Sequence, residues 1–116
     1  MRDPTERLRD ILEAIERIEE RCGGARNAFD ADEMLQIWVV HHLQIIGEAG
    51  RALPDEFRQK YPSLPWVKII GMRHILVHHY FDVDLEVVWS VVERELPEMK
   101  ARVAALLAQL EHNAKE

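Results

Sequence analysis

The octapeptide "RHILVHHY", residues 73–80, gathers one arginine, three histidines and a tyrosine within a chain otherwise rich in apolar and acidic residues. Those residue types suit phosphodiester chemistry. Internal transesterification of RNA requires the ribose 2′-hydroxyl to lose a proton as it attacks phosphorus and the departing 5′-oxygen to gain one. An imidazole titrating near neutral pH can do either. A guanidinium supplies a permanently charged donor fork for the phosphate oxygens as charge builds. At about 100° per residue, Arg73 and Tyr80 fall on nearly the same helical face. Arg73 and His78 diverge by about 140° on an ideal helix. They converge on one substrate only if the helix ends or distorts near His78, or if two copies of the chain face each other. One histidine such as His78 is short of an acid and a base together, and a dimer doubles the count.

Each residue also has a structural reading. A lone arginine on a helix is ordinarily a snorkelling surface residue, and a lone histidine or tyrosine a packing residue. The clustering carries the weight. Glu48, in "IIGEAG", enters a nearly all-apolar helix and needs a partner, for which Arg73 or a histidine is the candidate. Structural pairing and catalytic support are equally open to it. His74 and His78 have an i, i+4 spacing suited to a metal, with His41, His42 and His79 near in sequence. Neither an HExxH motif nor the Glu-x-x-His pair of di-metal bundles accompanies them, so the expectation is chemistry without a metal or other cofactor. Trp38, Trp66 and Trp89 sit in apolar helical phases and read as core.

Helices must position these groups. Asp3 and Pro4 open an amphipathic helix with Leu8, Ile11, Leu12, Ile15 and Ile18 on one face, closed by Gly23 and Gly24. A second helix, from near Asp30 to just before Pro54, is apolar around most of its circumference and is expected at the centre of a bundle or between subunits. "PDEFRQKYPSLPW" reads as a turn-rich connector with room for a short helix. A third helix runs from about Pro65 through "WVKIIGMRHILVHHY", and "FDVD" breaks it, with Asp82 or Asp84 as the next cap. The last element repeats Leu85, Val88, Trp89, Val92, Leu96, Met99, Val103, Leu106 and Leu110. Its phase survives Pro97, which predicts a kinked helix there. No strand alternation appears, and the expected fold is an all-α bundle of four to five helices in one domain, residues 1–116.

The totals agree with that. The 116 residues are 47% hydrophobic and 31% charged, the composition of a folded domain. One cysteine, Cys22, excludes an intrachain disulfide and a CxxC metal site. The amino terminus is charged, and the longest apolar run, "MLQIWVVHHLQIIG", is 14 residues and carries histidines and glutamines. No signal peptide or bilayer span is expected, which points to the cytoplasm. A net charge of −6 argues on its face against nucleic acid. Yet residues 57–81 contain no Asp or Glu and carry +4 through Arg58, Lys60, Lys68 and Arg73, which leaves −10 on the other 91. That local window is compatible with a phosphodiester or with an anionic partner.

"PWVKIIGMRHILVHHYFDVD" resembles the signature of the HepT-like ribonuclease toxins of the HEPN superfamily, whose motif R-x-x-x-x-H-x-Y falls here on Arg73, His78 and Tyr80. "IIGEAGRALP" upstream and "VDLEVVW" and "LPEMKARV" downstream match too, so the resemblance covers roughly residues 5 to 110. It implies a helical HEPN domain that forms a homodimer, with both motifs in a composite cleft. It implies a metal-independent endoribonuclease toxin of a type VII toxin–antitoxin system, with Arg73 and His78 catalytic and with His74, His79 and Glu48 in support. The partner it implies is an MntA-type nucleotidyltransferase antitoxin, assembling with the dimer and silencing it by attaching AMP to Tyr80. Position 74, often Asn in similar proteins, is His74 here. The alternative is a HEPN domain that does not cleave and serves as a binding module for its nucleotidyltransferase or for nucleotides.

Overall fold

The structure, a computed structural model, describes residues 3–23, 26–73 and 84–114. Within them the chain is helical. Helix α1 (Pro4–Cys22) starts as the sequence requires: Asp3 accepts from the Thr5 backbone N–H at 2.9 Å, and Pro4 occupies the first turn, where its missing N–H leaves no bond unmade. Gly23 ends it in the left-handed conformation, φ 52°, its N–H bonding to the Glu19 carbonyl. Leu8, Ile11, Ile15 and Ile18 are fully buried, whereas Leu12 lies at the margin of the core.

The second expected helix, from near Asp30, starts slightly later, at Glu33, and a short helix that the sequence did not announce stands before it. A short α2 (Arg26–Ala31) precedes α3 (Glu33–Ala52). Asp32 separates them by leaving helical geometry to cap α3, its carboxylate accepting from the Leu35 N–H at 3.2 Å. The Gln36 amide reaches back to the Phe29 and Asp30 carbonyls, satisfying groups that the end of α2 leaves open. Phe29 thereby enters the core against Trp89, ring centroids 5.3 Å apart. The connector holds α4 (Asp55–Lys60), and α5 (Trp66–Gly71) follows Pro65.

After the break the helix resumes as α6 (Leu85–Ser90). Of the two candidate caps, Asp84 serves, accepting from Glu86 N–H at 2.9 Å and Val87 N–H at 3.4 Å, while Asp82 lies outside the described residues. A π-helical turn (Val91–Glu95) joins α6 to α7 (Leu96–Ala114) without a break. Here the Leu96 N–H bonds five residues back to the Val91 carbonyl. Pro97 has no N–H and its ring crowds the carbonyl four residues earlier, so the widened turn just ahead accommodates it. The expected kink at Pro97 is thus a wide turn inside a continuous helix.

Helix α3 packs on α1 and on α5, and α7 packs on α1, so α3 is the element through which the first and middle parts of the chain meet. Exposed pairs tie the outer helices, Arg9 to Glu111 at 2.7 Å and Lys100 to Glu19 at 2.8 Å. Such pairs contribute little beside the apolar core. No described helix is long and apolar enough to cross a membrane.

Candidate active site

Arg73 follows α5 in a tightened turn, its N–H bonding three residues back to the Ile70 carbonyl at 3.2 Å. Two glycines on α3 let that turn approach. A Cβ on Gly47 would stand 2.6 Å from the Arg73 backbone N, and one on Gly50 would stand 2.5 Å from Ile69 Cγ2. Any side chain at either position would push α5 away. The pair three residues apart in "IIGEAG" is therefore a seat for the motif arginine.

Glu48, between those glycines, meets the side chain. Its Oε1 lies 2.5 Å from Arg73 Nε. The Arg73 Nε is buried, and the carboxylate stands off the N–H axis, so the contact is a charge pair without an aligned hydrogen bond. Engagement at Nε leaves the Nη1–Nη2 edge of the fork for another anion. The side chain is 33% exposed and Glu48 47% exposed, so the pair faces solvent instead of being sealed in the core.

The cationic window changes character in space. Arg58 pairs with Asp55, Lys68 with Glu95 at 3.1 Å, and Arg73 with Glu48. Lys60 lies over the Tyr61 ring, 5.7 Å from its centroid. Acids from outside residues 57–81 thus answer most of the positive charge that the sequence alone displays. Arg58 also donates to the Gly50 carbonyl at 3.2 Å, closing the end of α3.

His41 is exposed on α3, and His42 is the buried polar residue of the described core, at 5% exposure. His42 Nδ1 lies 2.7 Å from the Trp38 carbonyl. A carbonyl only accepts, so Nδ1 carries the proton. Of the three tryptophans, Trp89 is buried and Trp66 packs at the margin of the core, its Nε1 donating to the Tyr61 carbonyl at 2.9 Å. Trp38 departs from expectation. It is half-buried over α1, donating to the Arg17 carbonyl at 3.2 Å, with Arg21 5.0 Å from its ring centroid. Among the described residues no group of three or more His, Cys, Asp or Glu stands ready to hold a metal. His74, His78, His79 and Tyr80 lie outside the described residues.

The profile of a family described as "Ribonuclease HepT-like" matches residues 11–106, a span that contains α3, α5, Arg73 and the whole motif. The chain belongs to the HepT-like ribonuclease family. A protein of Caldanaerobacter subterraneus named a "putative RNase" is 39% identical over 108 residues, 92% of this chain and 96% of that one. The "probable ribonuclease HepT" of Thermococcus cleftensis is 39% identical over 100 residues, 85% of this chain and 91% of its own. A Methanocaldococcus jannaschii protein named "gamma-glutamylcyclotransferase and putative RNase" is 40% identical over 107 residues. The HepT-like chain spans about half the length of that relative, 48%, and most of the other two. No solved structure matches it. As a member of a ribonuclease family the chain is an enzyme of RNA phosphodiester cleavage, and its helical fold is of the expected class. The glycine seat escaped the reading of the sequence, although the Gly-x-x-Gly spacing in a helix was its visible signal.

Proposed function

We propose that the chain is a metal-independent endoribonuclease toxin acting as a homodimer, with Arg73 and His78 catalytic. The observation that carries this reading is the placement of Arg73: a glycine seat receives its turn, and a carboxylate engages Nε of a side chain that stays 33% exposed. In the proposed reaction the substrate's 2′-oxygen forms a bond to phosphorus while the bond to the 5′-oxygen breaks. An imidazole of His78 accepts the 2′-hydroxyl proton, and the second copy's imidazole delivers one to the leaving oxygen. Arg73 binds the phosphate oxygens as charge accumulates. The products are a 2′,3′-cyclic phosphate and a 5′-hydroxyl. Glu48 aims Arg73, and His74 and His79 line the same motif in sequence.

The dimer is supported by α3, an apolar helix that leaves Met34 73% and Ile37 54% exposed on the row that continues through His41 and Gln44 to Glu48. A second copy covering that row brings two Arg73 side chains toward one cleft. An interface of obligate type buries more than about 2,000 Å². The partner in the cell is proposed to be an MntA-type nucleotidyltransferase antitoxin that attaches AMP to Tyr80, in a type VII toxin–antitoxin system of the cytoplasm. Toxicity on expression, lost with His78→Ala, is the deciding experiment. A wild-type chain that neither cleaves RNA nor harms the cell, yet binds the nucleotidyltransferase, replaces the enzyme with the binding module.

A further inference from the structure

Helix α5 is six residues long, too short to hold a position by its own hydrogen bonds, so the place of Arg73 depends on what α5 rests on. It rests on α3 at Gly47 and Gly50. That close approach has a cost, because glycine weakens a helix and both stand in the last two turns of α3. The sequence adds a second weakness. The residue four on from Gly50 is Pro54, which has no N–H to give the Gly50 carbonyl. The seat of the motif arginine is therefore built on a helix end inclined to fray.

Arg58 of α4 meets that end. Its Nη1 donates to the Gly50 carbonyl at 3.2 Å and lies 3.5 Å from the Arg51 carbonyl, while Nη2 pairs with Asp55. The Gly50 carbonyl also accepts the Leu53 N–H at 3.3 Å, so both of its lone pairs are used. A cation here also complements the negative end of the helix dipole. At 20% exposure Arg58 is the least exposed cation of the described ion pairs. Asp55 is 80% exposed, so the carbonyls are the partners that matter. Gly50 is thus held from two sides. Arg58 takes its carbonyl, and Ile69 of α5 sits where a Cβ would stand 2.5 Å from Ile69 Cγ2. Ile69 is fully buried, and its own carbonyl accepts the N–H of Met72, the residue before Arg73.

We infer that Arg58 is a positioning residue for the motif arginine. It replaces the N–H that Pro54 lacks, keeps the glycine turn of α3 wound, and through Ile69 fixes where Arg73 stands. Its effect on rate rests on the ribonuclease reading, and its effect on the turn does not.

The test compares the wild-type chain with Arg58→Met, which keeps an apolar stem and removes the donors, and with Arg58→Lys, which restores a donor and the charge. Cleavage of one defined RNA is measured for each, and amide exchange is followed without RNA. Arg58→Met lowers kcat about tenfold and leaves KM within about twofold, because a small displacement of Arg73 weakens transition-state contacts more than binding. Arg58→Lys returns kcat to within about threefold of the wild type, one ammonium standing in for the fork. Exchange in Arg58→Met quickens at Leu53 and Arg73 and is unchanged at Ile15 in α1. The inference is overturned if Arg58→Met keeps the wild-type kcat, or if exchange quickens equally in α1, which makes the loss a general one. It is also overturned if KM rises with kcat unchanged and the salt dependence of RNA binding falls by about one charge, which makes Arg58 a phosphate contact. If the methionine variant does not fold, Arg58→Lys carries the same comparison at smaller amplitude. A wild-type chain that cleaves no RNA overturns the ribonuclease reading alone. Exchange at Arg73 then decides the clamp: quickened in the variant it supports the inference, and unchanged it overturns it.

Discussion

A side-chain carbon on Gly47 would lie 2.6 Å from the backbone nitrogen of Arg73. The turn that carries the motif arginine therefore rests directly on the backbone of α3. Gly47→Ala forces α5 outward. Overpacking of this kind costs about 1–3 kcal/mol, and urea denaturation should show a lowered midpoint. Cleavage should fall further than stability does, because Arg73 moves with α5. An alanine variant as stable and as active as the wild type would remove the seat from the account.

Arg73→Ala should lower kcat by about 10²–10³, the range for loss of one oxyanion donor. Arg73→Lys restores the charge without the fork and should recover only a small part of it. Rate assays on one defined RNA decide between the fork and the charge.

Glu48→Gln tests aiming separately from binding. The amide still fills the space beside Nε but no longer holds the guanidinium by charge, so kcat should drop about tenfold. KM should stay level or fall, since the carboxylate no longer competes with phosphate for the arginine. A raised KM with kcat unchanged would make Glu48 a substrate contact instead.

Cleavage should survive EDTA and yield 2′,3′-cyclic ends, because in the proposed reaction imidazole and guanidinium supply the proton transfers and the charge. Loss in EDTA with rescue by a divalent ion would return the histidines to a metal. The assay is end-group analysis of the products with and without chelator.

Incubation with the nucleotidyltransferase and ATP should add one adenylyl mass to the wild-type chain and none to Tyr80→Phe, read by intact-mass spectrometry. An equal gain on both chains would move the acceptor elsewhere.

The first turn of α1 should respond to acid. The backbone N–H and hydroxyl of Thr5 hold the Asp3 carboxyl below its ordinary value. A carboxyl lowered in the folded state stabilises above its unfolded pKa, and that stabilisation disappears as pH falls through the folded one. Amide exchange at Thr5, corrected for its intrinsic rate, should quicken at acidic pH in the wild type and be fast throughout in Asp3→Ala.

Helix-forming signals that are local were legible in the residues. Asp3–Pro4, Gly23 and Asp84 act within a turn of themselves, and the apolar phases of α1 and α7 match their buried faces. The short α2 before α3 was not legible, because its six residues carry no apolar period, and its end depends on the return of Gln36 to two carbonyls. The carboxylate of Glu48 in an apolar helix called for a partner, with Arg73 or a histidine as candidates; the fold brings Arg73, at a pair that faces solvent. The apparent basic window misled, because charge adds up in space. Asp55, Glu95 and Glu48 stand outside residues 57–81 in sequence and beside their cations in the fold. The role of Trp38 was hidden for the converse reason: an apolar phase cannot distinguish a core side chain from one that walls a groove.

The π-helical turn at Val91–Glu95 has a consequence for how relatives should be aligned. A widened turn holds one residue more than the α-turn it replaces, and that residue shifts the phase of everything before it relative to everything after. Relatives that have no proline at the place of Pro97 have no need of the extra residue. Their alignments to this chain should open a single-position gap between Ser90 and Pro97, with α6 and α7 each matching cleanly on its own side. A gap at that place would record how the proline entered the lineage, as an insertion and a substitution fixed together.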